Sequence, residues 1–388
     1  MNGRDRPGAR NAAEDFTVAL DPAPAVAELA ALWRDLEARA EASFFLSWDW
    51  IGCWLAASGI APLLLSARRG GTVVALALLH PVRRRRHRVV TSDALMLHQT
   101  GDPERDAITI EYNGILADRG CADAATAACI GFLRQSGLPA RWDEVLCANV
   151  TPEFAAAARQ SGIRLREAAP KPTWRVDLEA VRRGGKPYLE TLSANTRAQI
   201  RRAMRLYQRR GPLAAMPAPE IATAIAYFDA LKALHQRHWQ SRQQRGAFAD
   251  PFAERFHRAL VAEGVASGSV ELVRVAAGDF VIGYVYNFLR RGQVYSYQTG
   301  FAYEDDPRLK PGLVSHCLCI ERHLRDGAGV YDFMAGDQRY KRNLGSAGPA
   351  LVDLVLQRPA PMLIAEDALR RLKAALRAPF RRSSIGRR

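Results

Sequence analysis

The sequence predicts a mixed α/β protein of the α+β type, built as two domains, each a mixed, twisted sheet flanked by helices. Three observations predict it. Strand-like and helix-like stretches alternate through the first 165 residues. A stretch with two prolines at 168–172 interrupts the pattern, and the strand-like WRVDL resumes it. From Gly283 to Gly345 the order is a hairpin, a loop, a helix and a short apolar strand. At 388 residues the chain is long for one core, which agrees with two domains.

In order, residues 1–20 are polar and glycine-bearing and read as a flexible tail. The first domain is expected at 21–170. Val26, Leu29, Leu32 and Leu36 recur at three and four, one face of an amphipathic helix. SFFLSWDWIGCWLA follows; its aromatic residues suit a buried helix in the first core better than an exposed platform. Runs at 62–66 and 72–80, joined by ARRGG, form a hairpin. The basic PVRRRRHR after it reads as a solvated turn in preference to a phosphate site. GDPERD and EYNG turns surround two short strands, the second ending in Tyr112, and helices at 122–135 and 152–160 flank a strand at 144–148.

The second domain is expected at 171–358. Residues 195–211 form a helix on which Arg197, Arg201, Arg205 and Arg209 recur every four residues, apart from the apolar Ile200, Met204 and Tyr207. Like charges at that spacing cost the helix about 0.2–0.5 kcal/mol each. An anionic partner relieves that cost, and a solvated face accounts for the pattern equally. Long helices at 220–240 and 251–266 precede a sheet beginning at 270. His235 and His238 share a helix face without a carboxylate motif, so no metal site is expected. A last strand is expected at 351–356. The tail, 359–388, is a basic amphipathic helix that docks on the protein's own sheet or, alternatively, touches an anionic membrane peripherally.

Composition narrows the classes. With 48% hydrophobic and 24% charged residues the chain is globular, not disordered. The net charge of +15 suits an anionic partner such as tRNA, a lipid phosphate, a membrane surface or the pyrophosphate of CoA. Only six of the basic residues are lysine, and alanine is abundant, a bias a GC-rich genome also produces. Six scattered cysteines without CxxC spacing point to reduced core residues in a cytoplasmic protein, not a disulfide frame or zinc site. No apolar leader and no run of 18 apolar residues occurs, so neither a signal peptide nor a membrane span is expected.

The chemistry-bearing stretch lies near the end. The Pro311-Gly312 step opens a helix after a strand and loop, which puts unpaired amides and the positive end of the helix dipole at one spot. Anions dock at such spots. Proline suits the first helical position, although many such steps only cap a helix.

The series YSYQTG, LKPGL and YDFMAGDQRYKRNLG, with LSANTRAQIRRAMRLYQRRGP upstream, resembles the GNAT-like acyltransferases of the BioF2-like group. These are relatives of the Fem-type peptidoglycan aminoacyltransferases and of a protein family associated with bacterial cellulose synthesis. The resemblance covers about residues 174–357. It implies tandem GNAT-like domains, the first degenerate, and an acyltransferase that uses acetyl-CoA or another acyl-CoA and no metal. One departure is that the glycine-rich pyrophosphate loop of ordinary GNAT enzymes is reduced to Pro311-Gly312. The implied acceptor is an amine or hydroxyl, in an envelope polysaccharide or its precursor. An aminoacyl-tRNA-dependent transferase and a non-catalytic accessory of a polysaccharide synthase are the alternatives.

In that reading Gln298 and the helix start, Pro311, Gly312 and Leu313, hold the acyl donor. Tyr297 and Gln298 alternate faces along their strand, so one of them at most lines the cleft. Lys341 offsets charge at the reacting ester, Asp332 orients or deprotonates the nucleophile, and Tyr340 protonates the leaving group. Asp337 fits a helix cap. Arg197, Arg201 and Arg205 bind an anionic substrate. Acyl transfer of this kind needs no covalent intermediate, which agrees with the lack of a GxSxG elbow.

Overall fold

The computed structural model describes residues 16–86, 90–135, 141–244 and 246–359, with Leu363 and Glu366. The basic tail, nearly all of 359–388, and residues 1–15 of the expected flexible tail lie outside the described residues, as does His87. The rest of that tail is ordered: its end pairs into a sheet as β1 (Thr17–Pro22), with Leu20 buried.

The first half continues with α1 (Val26–Arg39), α2 (Trp48–Ser58), β2 (Leu63–Arg69), β3 (Thr72–Arg86), β4 (Val90–Leu97), β5 (Leu116–Ala117), α3 (Ala122–Phe132), β6 (Glu144–Val150), α4 (Pro152–Gln160) and β7 (Arg164–Glu167). Local chemistry sets the ends. Ser47 caps α2 by accepting the Trp50 amide, and Gly59 in the left-handed region ends it. Thr151 caps α4 ahead of Pro152. The arginine run expected to form a turn continues β3, whose pairing with β4 runs from Leu79 to Arg86.

The second half comprises β8 (Thr173–Asp177), α5 (Leu178–Arg183), α6 (Tyr188–Thr191), α7 (Ala194–Gln208), β9 (Leu213–Pro217), α8 (Ile221–Gln240), α9 (Pro251–Ser267), β10 (Val270–Ala277), β11 (Phe280–Arg290), β12 (Gln293–Phe301), α10 (Pro311–Arg325), β13 (Val330–Ala335), α11 (Arg339–Leu344), β14 (Ser346–Ala347) and β15 (Val352–Gln357).

The two sheets have the same plan. One runs β1-β2-β3-β4-β6-β15-β7, with β5 beside β3; the other, from its opposite edge, runs β9-β10-β11-β12-β13-β8-β14. In each the fourth and fifth strands are parallel, β4 with β6 and β12 with β13, and every other neighbouring pair along these orders is antiparallel.

The sixth place of each sheet is filled by a strand out of chain order. β8 follows β7 in the chain yet sits between β13 and β14, while β15 follows β14 and sits between β6 and β7. The last strand, expected in the second domain, therefore belongs to the first sheet. Its Leu354 and Leu356 complete the first core.

The aromatic segment before and within α2 is buried, as expected, but not in the first core alone. Phe44 stacks on Phe288 of β11 at 4.3 Å, and Trp50 meets Phe256 of α9 at 4.8 Å. These rings join one face of the second sheet, with α8 and α9, to the first half. Helices α7 and α10 cover the opposite face.

Candidate active site

Two irregular strands open the second sheet. β12 pairs with β13 only at Gln293–Val330, Val294–Tyr331 and Tyr295–Asp332. Beyond Tyr295, β12 stays with β11 as far as Phe301. Gln298 lies opposite Tyr286 and Ser296 opposite Asn287, so Tyr297 is an extra, bulged residue. A bulge leaves a residue out of the ladder and bends its strand. On the other side Met334 has φ 65°, a costly conformation for a residue with a Cβ, and the register of β13 with β8 shifts between Asp332 and Ala335.

The gap between the strands is part of a cavity of about 750 Å³. Tyr297 and Met334 line it from the face shared with α8 and the first half, and His316 and Phe333 from the α10 face. It is therefore a slot that spans the sheet, lined from both faces.

On the α10 side, Pro311, Gly312 and Leu313 line the cavity. No side chain caps α10, so its first amides lack a side-chain acceptor. His316 is buried, with Nδ1 against the Tyr331 hydroxyl at 3.3 Å and Nε2 without a partner. Burial holds its pKa down at about 3, so the ring is neutral. Tyr340 lies flat on it at 5.2 Å, and burial pushes the phenol pKa up.

Lys341 forms part of the slot's wall. It is 6% exposed, and Nζ donates to the carbonyl of Ala335 at 2.6 Å. Burial lowers its pKa, against the pull of Glu111 and Asp332.

On the opposite side, the wall comes from α8 and the first half: His235, His238, Trp239, Thr109 and Glu111. Gly300 lets α8 approach, since a Cβ there would lie 2.4 Å from the Leu231 carbonyl oxygen. Tyr303, 56% exposed, stacks on His238 at 4.5 Å.

The structure thus gathers Lys341, Tyr340, Gln298, Pro311, Gly312 and Leu313 around one cavity. Tyr297 lines it too, because the bulge breaks the strict alternation of faces. Asp332 is outside it. Its Oδ1 accepts the Met334 amide at 2.6 Å and its Oδ2 accepts the Tyr112 hydroxyl at 2.6 Å, so it clamps the bend of β13. Arg197, Arg201 and Arg205 are also outside, on α7. Arg197 donates to the carbonyls of Glu190 and Leu192, Arg201 lies 3.6 Å from Glu190, and Arg205 is exposed. Asp337 does not cap α11; it pairs with Arg342 at 2.7 Å.

Sequence reasoning missed Glu111. It is 8% exposed, and its Oε2 accepts the Ala335 amide at 2.8 Å across the seam between the halves. The available signal was one acid in the otherwise uncharged run Ile108–Ile110 to Gly114. Among the described residues no cluster of His, Cys, Asp or Glu is arranged to hold a metal ion, and no helix is long and apolar enough to cross a membrane.

Comparison with known proteins places this geometry. Residues 194–342 match the family described as acetyltransferase (GNAT) domain. None of the curated proteins matches the chain. Among solved structures, FemX is similar at 12% identity and TM-score 0.54, over 88% of this chain and 98% of its own. The C-terminal domain (DUF2156) of an Agrobacterium fabrum protein described as a lysylphosphatidylglycerol synthetase aligns at 11% identity and TM-score 0.52, over 91% of this chain and 97% of that one. L-PGS from Bacillus licheniformis aligns at 11% and 0.51, over 87% and 96%. At such identities the likeness is one of fold. Residues 194–342 thus match a GNAT acetyltransferase domain, set in a two-sheet fold shared with FemX.

Proposed function

We propose that the protein transfers an acyl group from an acyl-CoA-type thioester to an amine or hydroxyl, meeting its two substrates on opposite faces of the second sheet. The observation that carries this reading is the slot through the sheet with Lys341 at its wall. The donor enters on the α10 side. Its phosphates lie over the amides of Gly312 and Leu313, and its arm follows β12 past Gln298, where β13 has turned away. The acceptor enters beside α8.

Attack on the acyl carbon makes a tetrahedral oxyanion, and the Lys341 ammonium offsets that charge in a site where burial strengthens the interaction. Collapse forms the new C–N or C–O bond and breaks the C–S bond. The thiolate leaves with a proton from Tyr340. Asp332 is a positioning residue in this scheme, since it fixes the strand that carries Ala335, the carbonyl that holds Lys341.

The acceptor we favour is an envelope polysaccharide or its precursor, handled in the cytoplasm, with the basic tail available for peripheral membrane contact. A second donor, aminoacyl-tRNA, is favoured by the exposed Arg201, Arg202 and Arg205 of α7, which packs beside α10. Calorimetry and a thiol-release assay with acetyl-CoA and longer acyl-CoAs, run beside aminoacyl-tRNA, test both. Binding and turnover of one class is the expected result, with Lys341→Met slowing turnover about 10²–10³-fold. No binding of any thioester or aminoacyl-tRNA contradicts the enzyme.

A further inference from the structure

We propose that Glu111, reaching across from the first half, is the general base that takes the acceptor's proton. This rests on acyl transfer through the slot and adds the group that the second half does not supply.

Four observations carry it. Glu111 lines the cavity on the acceptor side, next to Thr109 and opposite Lys341. One carboxylate oxygen, Oε2, is anchored by the Ala335 amide, the same residue whose carbonyl holds the Lys341 ammonium. The base and the oxyanion-stabilising lysine are thus fixed to the two sides of one peptide segment, whose bend Asp332 sets. Finally, Glu111 is the one acid that lines the buried part of the slot; the other cavity acids, Glu304 and Asp306, are engaged by Arg210 and Arg308 at the mouth. A general base must lie within hydrogen-bond reach of the proton it removes, and Glu111 is the carboxylate placed for that.

Its surroundings also poise it. Lys341 on α11, Asp332 on β13 and Lys171 act on its charge, while Tyr112 and Tyr297 feel it in turn. Burial raises its pKa to about 7; the Ala335 amide, Lys341 and Lys171 oppose the rise, and Asp332 adds to it. A carboxyl titrating there is part ionised near neutrality and a stronger base than a solvated one.

The step balances. An N–H or O–H proton passes to the Glu111 carboxylate as the acceptor bonds to the acyl carbon; the C–S bond breaks and the thiolate is protonated by Tyr340. Product release then returns the Glu111 proton to water, and water reprotonates the Tyr340 phenolate, so both groups are restored.

The test uses the full chain and two readouts. Carbon-detected NMR titration of the glutamate carboxyls should show one that titrates near pH 7 and vanishes in Glu111→Gln; titration of Glu111 in the ordinary range, about 4.3, overturns the proposal. With the thioester or aminoacyl ester found to be consumed, kcat/KM should rise with pH through a limb near 7. Glu111→Gln should cut it about 10²–10⁴-fold and remove the limb, with donor affinity unchanged and part of the rate restored in Glu111→Asp. Turnover that ignores the substitution sinks Glu111 alone. No turnover by the unaltered protein sinks the slot reading instead, and thermal unfolding of each variant shows that it is folded.

Discussion

The two halves share a strand plan but treat their parting strands in opposite ways. In the first sheet β4 and β6 pair over three residues, Ala94–Glu144, Leu95–Val145 and Met96–Leu146, as many as β12 and β13 do. There the gap is plugged by the chain itself. The Leu78 amide donates to His98 Nε2, so the neutral ring carries its proton on Nδ1 and donates to Asn113 Oδ1 at 2.8 Å. Asn113 Nδ2 donates in turn to the Leu97 carbonyl, and Asn113 bridges to Val150. His98 and Asn113 are 2% and 0% exposed. A buried polar network with its partners satisfied is costly to displace.

The difference shows what separates an open slot from a plugged one. Both halves have the parting strands; only the second leaves the space between them empty. The segment that plugs the first slot also carries Glu111 to the second, and β15 crosses from the end of the second half into the first sheet. In the reading proposed above, the first half takes no donor of its own and supplies the base to the second.

The largest way to break this comparison is to separate the halves. Residues 16–170 alone lack β15, which leaves β6 and β7 without their shared neighbour. They should not give a folded NMR spectrum, whereas the same piece fused to 349–358 should. Next in size is Lys341→Met, whose loss of turnover is measured at saturating donor.

A smaller effect sharpens the contrast. Asn113→Ala orphans the bonds of the plug and should cost about 1–3 kcal/mol in denaturant unfolding, far more than a substitution at exposed Arg205. Acid tests the buried rings. Burial holds His98 at about 4 and His257 and His316 at about 3. The unfolded chain binds protons at these rings below about 6.5 and the folded chain does not, so their contribution is intact above that pH and lost as pH falls toward 4. The denaturant midpoint should drop over that window. Smallest is Arg201→Ala with Arg205→Ala: stability should change by less than about 0.5 kcal/mol, and the salt dependence of binding should flatten only if the donor is tRNA.

Much of this was legible in the sequence. Alternating runs, the ARRGG turn, the linker and the LKPGL and YK steps located both sheets and six of the cavity residues. The exchange of β15 was not, because the apolar VDLVL fits any buried sheet position and carries no mark of which. The sequence sets Asp332 beside the MAG turn but hides its partner Tyr112, 220 positions away, which holds it outside the cavity. Tyr297 joins Gln298 in the cavity because its bulge breaks the alternation that sequence assumes. Glu111 stayed hidden since its partners, Ala335 and Lys341, are more than 200 positions away.

Hydrogen exchange with and without the consumed donor tests the open-versus-plugged distinction most directly. Added donor should slow exchange at 296–300 of β12 and at Gly312 and Leu313, and leave the plug around His98 and Asn113 unchanged. Slowed exchange at the plug, with none at β12 and the start of α10, would contradict it.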